Sequence, residues 1–348
     1  MATHTVFLCH DYMLVEIFEE IALRLGALGV EVIRGPETTP GKKLVYPQER
    51  FTELFGRAEV MMFSSRSICS REVLLAAPRL RGIVNPTIGL ETVDLEACRE
   101  LGIIVGHGAT AENFTGMAEA AVMLMLMLMY RPKATEEVLR GTRPRPKPTP
   151  SDAWARMLFG RTVGLVGMGR IARGVAERLA GFGVRILAYD PFVKADAAPA
   201  GIELSDLDTL LKSSDIVSLH LSITPSARSL IDERALALMK PTAYLVNTSR
   251  GEAVDEAALY RALKEKRIAG AALDNFVVEP LPGESPLREL DNVILTPHMV
   301  GHTKDVFASF PTAAVENITR ILRGELPLHC KNPEVAPTWK ARLARLPV

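Results

Sequence analysis

Residues 162–190 read TVGLVGMGRIARGVAERLAGFGVRILAYD, and the order of features in this stretch decides the fold. A short apolar run, Thr162–Val166, predicts a buried strand. It ends on Gly167, Gly169 and Ala172, spaced as GxGxxA, and a helical pattern opens at once. Gly167 permits a tight turn, Gly169 lets the backbone approach a pyrophosphate, and Ala172 is small enough for close packing of helix on strand. The helix N-terminus then offers unpaired N–H groups and the positive end of its dipole to phosphates. A lone GxGxxA is a weak signal. Here a second strand, Val184–Tyr189, follows and ends at Asp190, roughly 20 residues on, where a ribose-binding acid belongs. A carboxylate there accepts hydrogen bonds from the ribose hydroxyls and repels a 2′-phosphate, so the expected cofactor is NAD rather than NADP. Lys194 is the nearest cation that could favour the phosphate.

Outward from this stretch, apolar runs alternate with helical patterns along most of the chain. Val6–Cys9, Glu59–Phe63, Gly82–Val84 and Ile103–Val105 read as strands before it. Ile216–Leu219, Tyr244–Val246, Ala269–Leu273 and Val293–Leu295 read as strands after it. This rhythm predicts an α/β protein with two doubly wound parallel-sheet domains. Residues 140–150, RGTRPRPKPTP, exclude regular structure and read as a solvated loop. The last dozen residues read as a polar tail.

Composition narrows the function classes. The 348 residues are 48% hydrophobic, enough for more than one core, and 41 basic side chains balance 41 acidic ones. That balance lacks the basic footprint of a nucleic-acid binder. Cys9, Cys69, Cys98 and Cys330 are scattered, without metal-ligand spacing, and read as reduced thiols of a cytoplasmic protein. The N-terminus lacks the pattern of a secretory signal. Met117–Tyr130 is the most apolar stretch; it is shorter than the roughly 20 residues a membrane span needs, so it reads as a buried helix.

Hydride transfer between a cofactor and a hydroxy acid needs a group for the substrate carboxylate and an acid–base for the hydroxyl proton. Three strand ends supply candidates. Asn247-Thr248-Ser249-Arg250-Gly251 brings an arginine able to hold a carboxylate bidentately. Leu273-Asp274-Asn275-Phe276-Val277-Val278-Glu279 brings two carboxylates, and Leu295-Thr296-Pro297-His298 brings a histidine. Ligands of open α/β sheets bind at these ends.

With these motifs in order, the chain resembles the D-isomer-specific 2-hydroxyacid dehydrogenases. NPTIGLETVDLEACRELGI, ENFTGMAEAAV, SLHLSITPSARSLIDERALALMKPTAYLVNTSRGEAVDEAAL, GAALDNFVVEPL and ILTPHMVGHT carry the likeness, over about residues 50–325. The resemblance implies a Rossmann NAD-binding domain (111–303) inserted in a flavodoxin-like substrate-binding domain (1–110 and 304–348). It implies a catalytic triad of Arg250, Glu279 and His298. Arg250 would bind the substrate carboxylate and polarise the C2 carbonyl, and His298 would give or take the proton. Glu279 would fix the histidine tautomer and stabilise its charged form. Gly167, Gly169, Arg170, Ile171, Asp190, Thr248, Ser249 and Asp274 are the implied cofactor-binding residues, with Asp274 near the nicotinamide amide. Ile88 and Gly89 would bind the substrate carboxylate through backbone N–H groups. Arg66, at the end of the Glu59–Phe63 strand, reads either as a cation facing the substrate's distal end or as a surface arginine. The expected assembly is a homodimer, with no metal, membrane or nucleic-acid partner.

The chain departs from the family pattern at Ser222, Ala227, Asn275 and Met299-Val300-Gly301-His302. None of these touches the triad, but they alter the neighbourhood expected for the cofactor. Two other functions use the same residues: an NAD(H)-sensing scaffold like the co-repressors of this fold, and oxidation of a substrate that is not a hydroxy acid. Glu279 argues against the formate dehydrogenase branch.

Overall fold

The structure, a computed structural model, describes residues 4–147, 154–194 and 198–346. Residues 148–150 of the proline-rich stretch lie outside these, and residues 141–147 form no helix or strand. The chain divides into two compact units, one of residues 1–113 and 303–348 and one of residues 114–302.

The first unit holds strands β1 (Thr5–Leu8), β2 (Glu31–Arg34), β3 (Val60–Met62), β4 (Gly82–Asn85) and β5 (Ile104–His107). They pair in parallel in the order β2-β1-β3-β4-β5, the flavodoxin-like order. β1, β3, β4 and β5 are buried throughout, as strands covered on both faces must be. Phe7 on β1 anchors an aromatic cluster, its ring 4.9 Å from Phe55 and 5.8 Å from Tyr46, both edge-on.

The helix that returns to this unit runs Lys304–Leu322, with Pro311 buried inside it. Thr303 starts it by accepting a hydrogen bond from Val306 N–H on its hydroxyl. Ile321 of this helix lies against β4, where the absent side chain of Gly82 leaves room. A Cβ at Gly82 would stand 3.0 Å from Ile321 Cδ1. Ile321→Val removes that methyl group and is expected to cost about 0.5–1.5 kcal/mol, read as a lowered urea midpoint with an unchanged slope.

The polar-tail reading of the last residues is wrong. Residues Ala336–Leu343 form a helix whose Trp339 is fully buried. Trp339 Nε1 donates to the Arg81 carbonyl at 2.7 Å, and Arg342 Nε donates to the Leu80 carbonyl at 2.9 Å. Arg342, one of the basic residues that make this segment look like a solvated tail, serves to satisfy backbone carbonyls of Leu80 and Leu101.

The second unit holds β6 (Thr162–Val166), β7 (Arg185–Tyr189), β8 (Ile202–Leu204), β9 (Ile216–Leu219), β10 (Tyr244–Asn247), β11 (Gly270–Leu273) and β12 (Val293–Leu295). Their order is β12-β11-β10-β9-β6-β7-β8, all parallel. Direction of winding reverses between β6 and β9, the switch point at which such sheets bind ligands beyond the strand ends. The helix Ala111–Tyr130 is long and apolar enough to cross a membrane by length and composition. Ala118, Ala121, Leu124, Met125 and Leu128 of this helix nevertheless belong to the core of the second unit, together with Leu165 and Val175.

β2 and β8 escaped the reading of the sequence. Both are sheet edges, short and incompletely buried, so neither carries a continuous apolar run.

Candidate active site

At the end of β6, Gly167 takes φ +94°, and a Cβ there would stand 2.5 Å from the His220 carbonyl oxygen. Only glycine meets both demands. A Cβ at Gly169, by contrast, would meet nothing within 4 Å. Open space therefore faces the backbone at the N-terminus of the helix Arg170–Leu179, as a cradle for a pyrophosphate requires. Asp190 braces this turn: one carboxylate oxygen accepts from Met168 N–H at 2.8 Å and the other from Phe192 N–H at 2.9 Å. The guanidinium of Arg170 stacks 4.2 Å above the Phe114 ring, a cation–π contact, and Ile171 beside it is half-buried. Gly167, Gly169, Arg170, Ile171 and Asp190 thus converge on one strand–turn–helix, and these residues fit a dinucleotide.

His220, which sequence reasoning passed over, follows β9 beside this turn. Its Nε2 lies 2.9 Å from Ser218 Oγ, and burial pushes its pKa down to about 4. The imidazole is neutral at physiological pH and adds no charge to the phosphate turn.

Beyond β10, Thr248 and Ser249 are buried, and Arg250 Nη1 donates to the Ser249 carbonyl at 2.7 Å. Gly251 follows in direct backbone contact with the next loop; a Cβ there would stand 2.0 Å from the Phe276 carbonyl carbon. Asp274, at the end of β11, is 2% exposed. One oxygen of its carboxylate accepts from Thr296 Oγ1 at 2.8 Å, Met299 N–H at 3.0 Å and Val300 N–H at 3.2 Å. Burial holds its pKa above the usual carboxylate value, against the lowering effect of these donors. Asp274 therefore clamps both sides of His298, a task that its expected place near a nicotinamide amide does not convey.

His298 itself takes φ +55°, an uncommon region for a residue with a side chain. Its N–H donates to the Thr296 carbonyl at 3.0 Å, and with the Asp274 clamp this over-determines the turn, the condition under which such backbone persists. The ring nitrogen Nδ1 lies 2.8 Å from Glu279 Oε2. Glu279 Oε1 accepts from Phe276 N–H at 3.1 Å. Burial pushes the Glu279 carboxyl up, but the His298 hydrogen bond and charge, Phe276 N–H and the Arg250 charge outweigh it, so its pKa lies below the ordinary value. An ionised Glu279 selects the tautomer with the proton on Nδ1 and leaves Nε2 for a ligand.

The first unit carries the remaining candidates. Arg66 Nε is 3.9 Å from Asp11 Oδ1, and the guanidinium lies 5.2 Å from the centre of the Tyr12 ring. Asp11 is 2% exposed and was not singled out in the sequence. Ile88 and Gly89 are half-buried in the loop after β4. Among the described residues no group of three His, Cys, Asp or Glu side chains could hold a metal ion.

Residues 122–300 match the family model described as D-isomer specific 2-hydroxyacid dehydrogenase, NAD binding domain. A D-3-phosphoglycerate dehydrogenase of Methanocaldococcus jannaschii is 37% identical over 84% of this chain, which spans 55% of that protein's length. A glyoxylate reductase of Thermofilum pendens is 41% identical over 76% of this chain and 78% of its own. Among solved structures, a glyoxylate reductase from Paecilomyes thermophila superposes with TM-score 0.82 at 26% identity, covering 96% of this chain and all of the other.

Proposed function

The chain belongs to the D-isomer specific 2-hydroxyacid dehydrogenases, and from that membership we propose that it interconverts a small D-2-hydroxy acid and its 2-keto acid with NAD. The observation that carries this reading is the His298–Glu279 pair, 2.8 Å apart at neighbouring strand ends. The nicotinamide, when bound, supplies the hydride to C2 of the keto acid or takes it from the hydroxy acid. His298 gives the C2 oxygen a proton from Nε2 during reduction and removes it during oxidation. Glu279, ionised, holds Nδ1–H and stabilises the imidazolium that forms during oxidation. Arg250 pairs with the substrate carboxylate and draws electron density from the carbonyl.

Ile88 and Gly89 offer backbone N–H groups to a substrate carboxylate, and Arg66, backed by Asp11, receives the substrate's distal end. Gly167, Gly169, Arg170 and Ile171 hold the pyrophosphate, and Thr248 and Ser249 line the cofactor site. The five-stranded unit thus acts as the substrate-binding domain. A second copy of the chain covers the exposed apolar side chains Met123, Tyr130, Met157 and Phe159, giving a homodimer that works in the cytoplasm.

The test is loss of NADH absorbance against a panel of 2-keto acids, glyoxylate, hydroxypyruvate and phosphohydroxypyruvate among them. Oxidation of the R and S alcohols is then compared. Turnover confined to the R alcohols supports the reading. NADH binding without turnover of any acid, or preference for the S alcohols, would remove it.

Asp190 tests the cofactor assignment separately. Asp190→Asn keeps an acceptor for Met168 N–H but removes the charge facing the ribose. Loss of a hydrogen bond to a charged group costs about 1.5–3 kcal/mol, so kcat/KM for NADH should fall by about 10–100-fold. The NADPH rate should stay low, because the one amide oxygen of asparagine cannot hold both the Met168 and the Phe192 N–H, and an unchanged NADH rate would place the ribose elsewhere.

A further inference from the structure

The loops after β4 and β10 share a sequence pattern and a fold. Residues 85–89 read NPTIG and residues 247–251 read NTSRG, both Asn-x-Ser/Thr-x-Gly, and in each the asparagine is the last residue of its strand. Asn85 Oδ1 accepts from Thr87 N–H and from the Thr87 hydroxyl, both at 2.9 Å, while its Nδ2 donates to the Gly89 carbonyl at 2.7 Å. Asn247 Oδ1 accepts from Ser249 N–H at 3.0 Å and the Ser249 hydroxyl at 2.8 Å, while its Nδ2 donates to the Arg250 carbonyl at 2.9 Å. Both asparagines are buried, with exposures of 0% and 1%.

We infer that Asn85 and Asn247 are paired positioning residues, each folding one substrate-facing loop from within by three hydrogen bonds: two accepted from the residue two on in both loops, and one donated to the carbonyl of the fourth residue on from Asn85 and of the third from Asn247. The inference rests on the 2-hydroxyacid dehydrogenase reading for what those loops bind. Each amide offers an acceptor and a donor on one short side chain, and the loop uses both. Aspartate has the same shape but cannot donate, and it sets a charge against the carbonyl that the amide had bound.

The turn has a definite output. Asn85 engages the Thr87 N–H, and among the described residues neither Ile88 nor Gly89 donates its N–H to a protein acceptor. Two adjacent donors in a half-buried loop are left for an anion, a backbone nest. A second clamp holds the loop from outside. Gly108 N–H donates to the Thr87 carbonyl at 2.9 Å, and a Cβ at Gly108 would stand 1.8 Å from the Pro86 oxygen. In the other unit the same turn delivers a side chain, the Arg250 guanidinium, instead of N–H groups.

The experiment compares the full-length wild type with Asn85→Asp, Thr87→Val and Asn247→Asp. It measures steady-state kinetics with NADH and the best 2-keto acid, NADH affinity by fluorescence, and hydrogen exchange of the segment 86–90. Asn85→Asp is expected to raise KM for the keto acid about tenfold or more, the loss of about 1.4 kcal/mol, with kcat and NADH affinity nearly unchanged. Thr87→Val keeps the fold and removes one of the three bonds, so its KM should rise by a smaller factor. Asn247→Asp should lower kcat as well, because Arg250 moves with its loop. A merely structural role would reduce the active fraction, lowering kcat at constant KM in the Asn85 and Thr87 variants, and that result overturns the inference. If the wild type turns over no keto acid, the functional reading fails by itself. The exchange arm still decides the turn: faster exchange in 86–90 supports it, and unchanged exchange refutes it.

Discussion

His298→Asn is expected to lower kcat for 2-keto-acid reduction by about 10²–10⁴-fold while NADH affinity stays as in the wild type. Asparagine is the informative replacement because it tolerates the left-handed backbone better than most residues. The φ of +55° at this position would add strain to an alanine variant and blur the cause of any loss. Asparagine keeps the turn and removes only the group that can carry a proton. Glu279→Gln should act in the same direction but less severely. Glutamine can still meet Nδ1, but the carboxylate that stabilises the imidazolium is gone, and Arg250 loses a compensating neighbour. Since Glu279 titrates below the ordinary carboxylate value, its charge is present throughout the neutral range, so the Gln defect should persist from neutral pH upward. Both rates would be read from saturating NADH and keto acid, with affinity from fluorescence. A His298→Asn enzyme that retained wild-type kcat would show that the proton comes from elsewhere.

Gly251→Ala is the second change with a large expected effect, and here no functional group is removed. The new Cβ would stand 2.0 Å from the Phe276 carbonyl carbon and 2.4 Å from both the Phe276 oxygen and the Val277 nitrogen. All three are backbone atoms, so no side chain can rotate out of the way. One of two loops must move: the one presenting Arg250 or the one leading to Glu279. Displacement of a catalytic group by an ångström can cost about 10²-fold, and overpacking typically costs about 1–3 kcal/mol of stability. The expected result is a folded protein with a lowered urea midpoint and a kcat/KM reduced by about 10²-fold or more. Full activity would mean that the two loops are not held together in the working enzyme.

How much of this was legible in the sequence differs by region for physical reasons. The central strands Thr162–Val166 and Ile216–Leu219, covered on both faces, were read to the residue from their mostly apolar runs, and so was the edge strand Val293–Leu295, whose three residues are all apolar. β2 was not, because Glu31 and Arg34 at its ends face water from a sheet edge. The C-terminal helix was missed because its one buried tryptophan sits among basic residues, and the hydrogen bonds of Trp339 and Arg342 to backbone carbonyls cannot be seen in a string of letters. The residues assigned to the chemistry lie at strand ends, where the alternation of strand and helix told where to look. The braces were harder. Asp274 read as a cofactor contact, and its burial and three donors to one oxygen add a clamp on His298 that the sequence did not announce. Asn85 and Asn247 were visible as a repeated Asn-x-Ser/Thr-x-Gly pattern, but a five-residue pattern carries no meaning until both copies are known to end strands.

The two hydrogen bonds that Asp190 accepts from Met168 and Phe192 bear on how readily this protein could change coenzyme. A lineage drifting toward NADP would need to discard that carboxylate to admit a 2′-phosphate. The same step would unpin the turn on which every dinucleotide, phosphorylated or not, must rest. Selection for a new coenzyme would first meet a variant that grips both coenzymes poorly. The route therefore runs through a compensating change at the turn, made beforehand or at once, and a single substitution does not lead there.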